Sequence, residues 1–103
     1  MDEGCSVYIL KCSDGSYYVG LTKLDVEARL SEHQMGTYPS AYTYKRRPVE
    51  LVFAEHYDQI TDAILAERQI KGWRRAKKEA LIRRDYEALP ELAKRYGKKR
   101  TVE

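Results

Sequence analysis

Residues 6–20 read SVYILKCSDGSYYVG, and this stretch decides the fold. Two short apolar segments flank an Asp14-Gly15 turn signal. Val7, Tyr8, Ile9 and Leu10 make one arm of an expected β-hairpin, and Tyr17, Tyr18, Val19, Gly20 and Leu21 make the other. Side chains alternate along a strand, so loop length decides whether Tyr8 and Tyr18 share a face. A two-residue loop, Asp14-Gly15, sets Lys11 opposite Tyr18 and sends the two tyrosines to opposite faces. A three-residue loop, Asp14 to Ser16, sets Cys12 opposite Tyr18 and Tyr8 opposite Thr22, and both tyrosines then line one side. A bulged turn with positive φ at Gly15 favours the odd loop. Ordinary sheet packing stays open as the whole role of either tyrosine, since aromatic residues are common strand formers.

The 103 residues suit one compact domain, with a core over about 6–83 and a C-terminal helix and basic tail over 84–103. No apolar run approaches the roughly 20 residues that span a bilayer, and the opening Met1-Asp2-Glu3 is unlike a secretory leader. Cys5 and Cys12 form neither a CxxC pair nor a disulfide framework, so a reduced, cytoplasmic protein is expected. Cys5, Cys12, His33 and His56 lack the spacing of a zinc site. Charge is uneven. Residues 1–62 carry 6 Lys/Arg and 10 Asp/Glu, a net −4, whereas residues 63–103 carry 13 and 6, a net +7. A basic half suits a polyanionic partner, although solvated helix faces give the same count.

After the hairpin, Asp25 is placed to cap a helix from Val26 to about Met35, ended by Gly36. Val26, Arg29, Leu30 and His33 fall within about 100° of arc on that helix. Arg29 and His33 therefore sit on or beside its buried face, where a charge is costly unless paired or bordering a cleft. An ion-paired Arg29 and a satisfied core His33 remain the alternative. Residues 36–48, GTYPSAYTYKRRP, form a loop in which Tyr38, Tyr42 and Tyr44 interleave with Lys45, Arg46 and Arg47, a composition suited to nucleic acid. Val49, Leu51 and Phe53 alternate as one face of a third strand. Asp58 is a candidate cap for a helix of residues 59–72, with Ile60, Ala63, Ile64 and Ile70 as its apolar stripe. Glu67 lies on the inward edge of that stripe, and Lys71, four residues on, is a ready ion-pair partner. Gly72 breaks the pattern. Residues 73–84 read as a third helix with Arg74 and Arg75 outside, and Leu89-Pro90 opens a last short helix ending at Gly97.

The order of these features resembles the GIY-YIG nuclease family, in particular its small stand-alone bacterial members. Tyr8 follows Ser6-Val7 where the family has Gly-Ile. Tyr18-Val19-Gly20 matches the second motif closely. Arg29, His33 and Glu67 fall where the family keeps its arginine, its second aromatic or histidine, and its metal-binding glutamate. The chain departs from the family in Ser6-Val7 and in holding no Asn after the glutamate or anywhere else.

The resemblance implies an α+β fold, a three-stranded antiparallel sheet flanked by helices in the order β-β-α-β-α-α, with a short C-terminal helix added. It implies metal-dependent hydrolysis of phosphodiester bonds in DNA. Tyr8 would be the general base, with a phenol brought into a useful range by a nearby cation such as Arg29, which would also bind the phosphate. Tyr18 would position water or phosphate, and His33 would orient Arg29 or carry a proton to the leaving group. Glu67 would hold Mg²⁺ or another divalent cation such as Mn²⁺. Lys45, Arg46, Arg47, Lys71, Arg74 and Arg75 would contact nucleic acid. A non-catalytic nucleic-acid-binding module with the same fold is the alternative, since a fold alone does not establish chemistry.

Overall fold

The computed structural model describes residues 4–23 and 25–89. They divide into two compact units with the boundary after Gly72, and each is described by itself. The first holds β1 (Cys5–Lys11), β2 (Tyr17–Thr22), α1 (Val26–Met35), a 3₁₀ turn at Tyr44–Arg46, β3 (Glu50–Tyr57) and α2 (Ile60–Lys71). The three strands form one antiparallel sheet in the order β2-β1-β3, so β1 is central. The architecture is the expected α+β one. Among the described residues no helix is long and apolar enough to cross a membrane.

The hairpin has the odd loop, placed two positions away from the expected register. Tyr8 pairs with Gly20 and Leu10 with Tyr18, so the loop is Ser13 to Gly15. Gly15 has φ 86° and its amide donates to the Cys12 carbonyl at 2.9 Å, while the Cys12 amide donates to Ser16 at 2.8 Å. Asp14 fixes this choice: its carboxylate accepts from the Ser16 amide at 3.0 Å and from the Ser16 hydroxyl at 2.6 Å. A slip of two residues preserves parity, so Tyr8 and Tyr18 still share a face.

The third strand departs from simple alternation. Ile9 pairs with Phe53 but Leu10 pairs with Leu51, and Val52 is the extra residue of a bulge. The bulge reverses the face from that point. Val49 and Leu51 join Tyr8, Leu10 and Cys12 on one side with Tyr18, Ala54, Val26 and Leu30 packed against them. Phe53 lies on the opposite side with Ile9. The expected single face of Val49, Leu51 and Phe53 is therefore split.

Helix α1 ends as expected, with Gly36 left-handed at φ 70°. It also starts as expected at Val26 with Asp25 at the N-cap position, although the Asp25 side chain makes no capping hydrogen bond. Gln34, exposed on α1, clamps the start of β3. Its amide group donates to the Val49 carbonyl at 2.8 Å and accepts from the Val49 amide at 2.9 Å. Helix α2 packs on all three strands through Ala63, Ala66 and Ile70. Gln59 rather than Asp58 precedes it, and Asp58 stays exposed.

The second unit holds α3 (Arg75–Ile82) and a 3₁₀ turn at Tyr86–Ala88, with Ala80, Leu81 and Leu89 buried. Arg74 is extended at φ −75°, ψ 164°, so α3 starts two residues later than the sequence pattern suggests. Arg84 at φ 60° stops the helical path. The expected last helix from Pro90 and the basic tail lie outside the described residues.

Candidate active site

Tyr8 stands on the central strand and is 1% exposed. Its cross-strand neighbour has no side chain. A Cβ built on Gly20 would come within 2.3 Å of both Tyr8 Cζ and Tyr8 Oη, so the phenol occupies the space that glycine leaves. Tyr18, two residues back on β2, brings its ring centroid to 6.3 Å from that of Tyr8. Helix α1 closes the group from above the same face. His33 is buried, with ring centroids 5.9 Å from Tyr8 and 5.3 Å from Tyr18. His33 Nε2 and Tyr8 Oη lie 3.0 Å apart.

Arg29, one turn before His33, presents its guanidinium to the Tyr8 hydroxyl. It also donates to Glu32 at 2.8 Å and lies over the Tyr38 ring at 5.5 Å. Its Nε is buried and has no hydrogen-bond partner among the described residues. A buried guanidinium N–H without an acceptor is costly, and an anionic oxygen would relieve it.

The electrostatics differ from expectation at Tyr8. Burial pushes its phenol up to about 12, and the Arg29 hydrogen bond and charge lower it without winning. The expected activation by Arg29 is thus outweighed by desolvation in the free protein. Burial and the Arg29 charge also hold His33 below the usual imidazole range, so it is neutral at neutral pH. The bond to Tyr8 raises Arg29 further above its ordinary value.

The 36–48 loop contributes more to the interior than its composition suggests. Thr43, 1% exposed, sets its Oγ1 2.7 Å from His33 Nδ1. Both imidazole nitrogens thereby face hydroxyls, and neither is hydrogen-bonded to Arg29. Nothing in the sequence distinguishes Thr43 except its place between two tyrosines, and it is absent from the expected site. Tyr42 stacks on Tyr18 at 6.0 Å with an interplanar angle of 18°, while Arg46 lies 3.8 Å over its ring. Tyr42 also donates to Ser16 at 2.9 Å, and Arg46 pairs with Asp14 at 3.1 Å. The hydrogen bonds from Ser16, then Arg46, hold the Asp14 carboxyl below the usual range. Loop and hairpin turn are thus clasped, and Tyr42 is committed to partners within the chain.

The basic residues divide. Arg46 is held by Asp14 and by the Tyr42 carbonyl at 2.7 Å. Arg47 donates to the Tyr44 carbonyl at 2.9 Å and lies 4.5 Å over the Tyr44 ring. Lys71 pairs with Glu67, and Arg75 pairs with Glu79 at 3.0 Å. Lys45 and Arg74 are exposed.

Glu67 comes from α2, a different element from those that carry the tyrosines, Arg29 and His33. Its side chain is 15% exposed, and its carboxylate meets the Lys71 ammonium at 2.6 Å. Among the described residues no three His, Cys, Asp or Glu gather into a metal site. A single hard carboxylate still fits Mg²⁺ or Mn²⁺, which keep several waters and complete their shells with substrate phosphate. Lys71, 56% exposed, has solvent into which to withdraw.

Residues 4–80 match the pattern of the GIY-YIG catalytic domain. A UPF0213 protein of Syntrophus aciditrophicus (strain SB) is 45% identical over 83 residues, covering 81% of this chain and 94% of that protein. A UPF0213 protein of Staphylococcus aureus (strain Mu3 / ATCC 700698) is 48% identical over 77 residues, covering 75% and 92%. The solution NMR structure of a UPF0213 protein from Bacillus halodurans superposes with a TM-score of 0.51 at 38% identity, over 77% of this chain and 82% of that one.

Proposed function

The chain belongs to the GIY-YIG catalytic-domain family, among the small bacterial UPF0213 proteins, and from that premise we propose that it is an endonuclease hydrolysing phosphodiester bonds in DNA with a divalent cation. The observation that carries this reading is the convergence of Tyr8, Tyr18, Arg29 and His33 from β1, β2 and α1 on one hydroxyl. Packing alone does not call for a guanidinium with a buried, unpartnered Nε beside a buried phenol.

In this reading Arg29 binds a non-bridging phosphate oxygen through its planar fork. Tyr8 accepts the proton of the attacking water. An anionic phosphate and a cation arriving together change the field that acts on the phenol, and the donors around its oxygen favour the phenolate. Tyr18, braced by Tyr42, holds the water or phosphate in line. Glu67 would hold Mg²⁺ or Mn²⁺, which when bound offsets charge developing on the phosphoryl and leaving oxygens. Of the basic residues expected to contact nucleic acid, Lys45 and Arg74 are exposed and would be open to backbone contacts.

The Glu67–Lys71 pair favours a second reading, a nucleic-acid-binding module that keeps the fold without cleaving. Mg²⁺-dependent nicking of plasmid and branched DNA by wild type and Glu67→Ala separates the two. Nicking by wild type and its loss in the variant are expected. Salt-sensitive binding with no nicking of any substrate would leave the binding module.

A further inference from the structure

His33 stands between two hydroxyls. Its Nε2 lies 3.0 Å from Tyr8 Oη and its Nδ1 lies 2.7 Å from Thr43 Oγ1. Tyr8 and Thr43 are each 1% exposed and His33 is 5% exposed, so no bulk water intervenes. A neutral imidazole carries one ring proton, either on Nδ1 facing Thr43 or on Nε2 facing Tyr8.

We propose that Thr43 is a positioning residue that makes this choice: its hydroxyl donates to Nδ1, keeps the ring proton on Nε2, and so turns the imidazole into a donor toward the Tyr8 oxygen. The catalytic meaning of this arrangement rests on the nuclease reading, whereas the tautomer itself does not. Donors decide the direction. The Thr43 hydroxyl forms its hydrogen bond with His33. A buried O–H proton without an acceptor carries a desolvation penalty, while an idle oxygen lone pair costs less. Thr43 therefore directs its proton at Nδ1.

Tyr8 need not donate to His33, because the Tyr18 side chain, its ring centroid 6.3 Å away, also acts on the Tyr8 hydroxyl. The Arg29 guanidinium, which can only donate, bears on the same oxygen. Thr43 then donates to Nδ1 and Nε2–H donates to Tyr8 Oη, on which the Arg29 guanidinium also bears. The opposite tautomer strands the Thr43 proton. Two donors on one phenolic oxygen favour the phenolate over the phenol, which is what a base requires.

Long-range ¹H–¹⁵N correlation spectra of the full chain, without metal or nucleic acid, read the His33 tautomer. A His56→Gln background removes the other histidine. The expected result is a protonated Nε2 and an unprotonated, hydrogen-bonded Nδ1. Thr43→Val should move Nδ1 to the resonance of an unbonded nitrogen, and Thr43→Ser should return it. A protonated Nδ1 in the wild type overturns the proposal, as does an Nδ1 resonance indifferent to Thr43→Val. In Mg²⁺-dependent nicking, Thr43→Val should shift the pH–rate profile by up to about one unit to alkaline, and Thr43→Ser should restore it. An equal fall at every pH overturns the link to Tyr8. A wild type that nicks nothing overturns the nuclease reading instead, and the ¹⁵N spectra still decide the tautomer. If Thr43→Val does not fold, the wild-type and Thr43→Ser spectra carry the test.

Discussion

Gly20→Ala places a methyl group where the Tyr8 phenol now lies. The new Cβ would stand 2.3 Å from Tyr8 Cζ and Oη, against 3.4 Å for the near limit of ordinary contact, so something must yield by about 1 Å. The Gly20 backbone belongs to a strand and adds no strain of its own. Tyr8 cannot simply turn aside, because its ring is 1% exposed, its strand is paired on both sides, and its hydroxyl lies 3.0 Å from His33. Overpacking of this kind costs about 1–3 kcal/mol, and a disrupted buried hydrogen bond adds about 1. Urea unfolding should show a destabilisation of roughly 2–4 kcal/mol with an unchanged m value. A displacement near 1 Å should slow nicking by on the order of 100-fold. Gly15→Ala is the control. Its Cβ meets nothing within 4 Å, but its φ of +86° penalises alanine, so about 1 kcal/mol of stability should go with no loss of nicking. Wild-type stability and wild-type nicking in Gly20→Ala would refute this account of how Tyr8 is seated.

Tyr8→Phe removes one oxygen and should abolish nicking while DNA affinity stays within about twofold, as gel shifts against turnover would show. Lys71→Ala should free the Glu67 carboxylate and lower the Mn²⁺ concentration for half-maximal nicking, whereas Glu67→Ala should remove activation altogether. A higher Mn²⁺ requirement in Lys71→Ala would instead make Lys71 a nucleic-acid contact. His33 is depressed in the folded protein by burial and by Arg29. The unfolded chain therefore takes up its proton first as pH falls through about 6.5, and the folded state loses stability there. Urea midpoints at pH 7.5 and 5.5 should differ more for wild type than for His33→Gln.

The motif residues of β1, β2 and α1 were legible because two periodicities specify them. Alternation combined with an odd loop fixed the shared face of Tyr8 and Tyr18, and the spacing of four between Arg29 and His33 fixed their common side. Register escaped by two positions, since both odd loops satisfy the same alternation and only the Asp14–Ser16 bonds separate them. The face reversal at Val52 escaped because a bulge leaves no mark in an apolar run. Thr43 escaped because its role depends on a loop path that no period records. Tyr8's elevation to about 12 escaped because a neighbouring cation is readable from sequence and the depth of burial is not. The Glu67–Lys71 ion pair was legible, because the i,i+4 spacing already offered it.

Strand β1 exchanges ladder bonds with β2 on one edge and β3 on the other along its length. Its amides should therefore be among the slowest to exchange with deuterated solvent, opening only with global unfolding. The phenol rides on this immobile rail, while the imidazole and guanidinium ride on a helix that ends at a left-handed glycine and leads into a long loop. Any breathing that admits a substrate would then belong to the helix and loop, and the base would stay still while its surroundings rearranged about it.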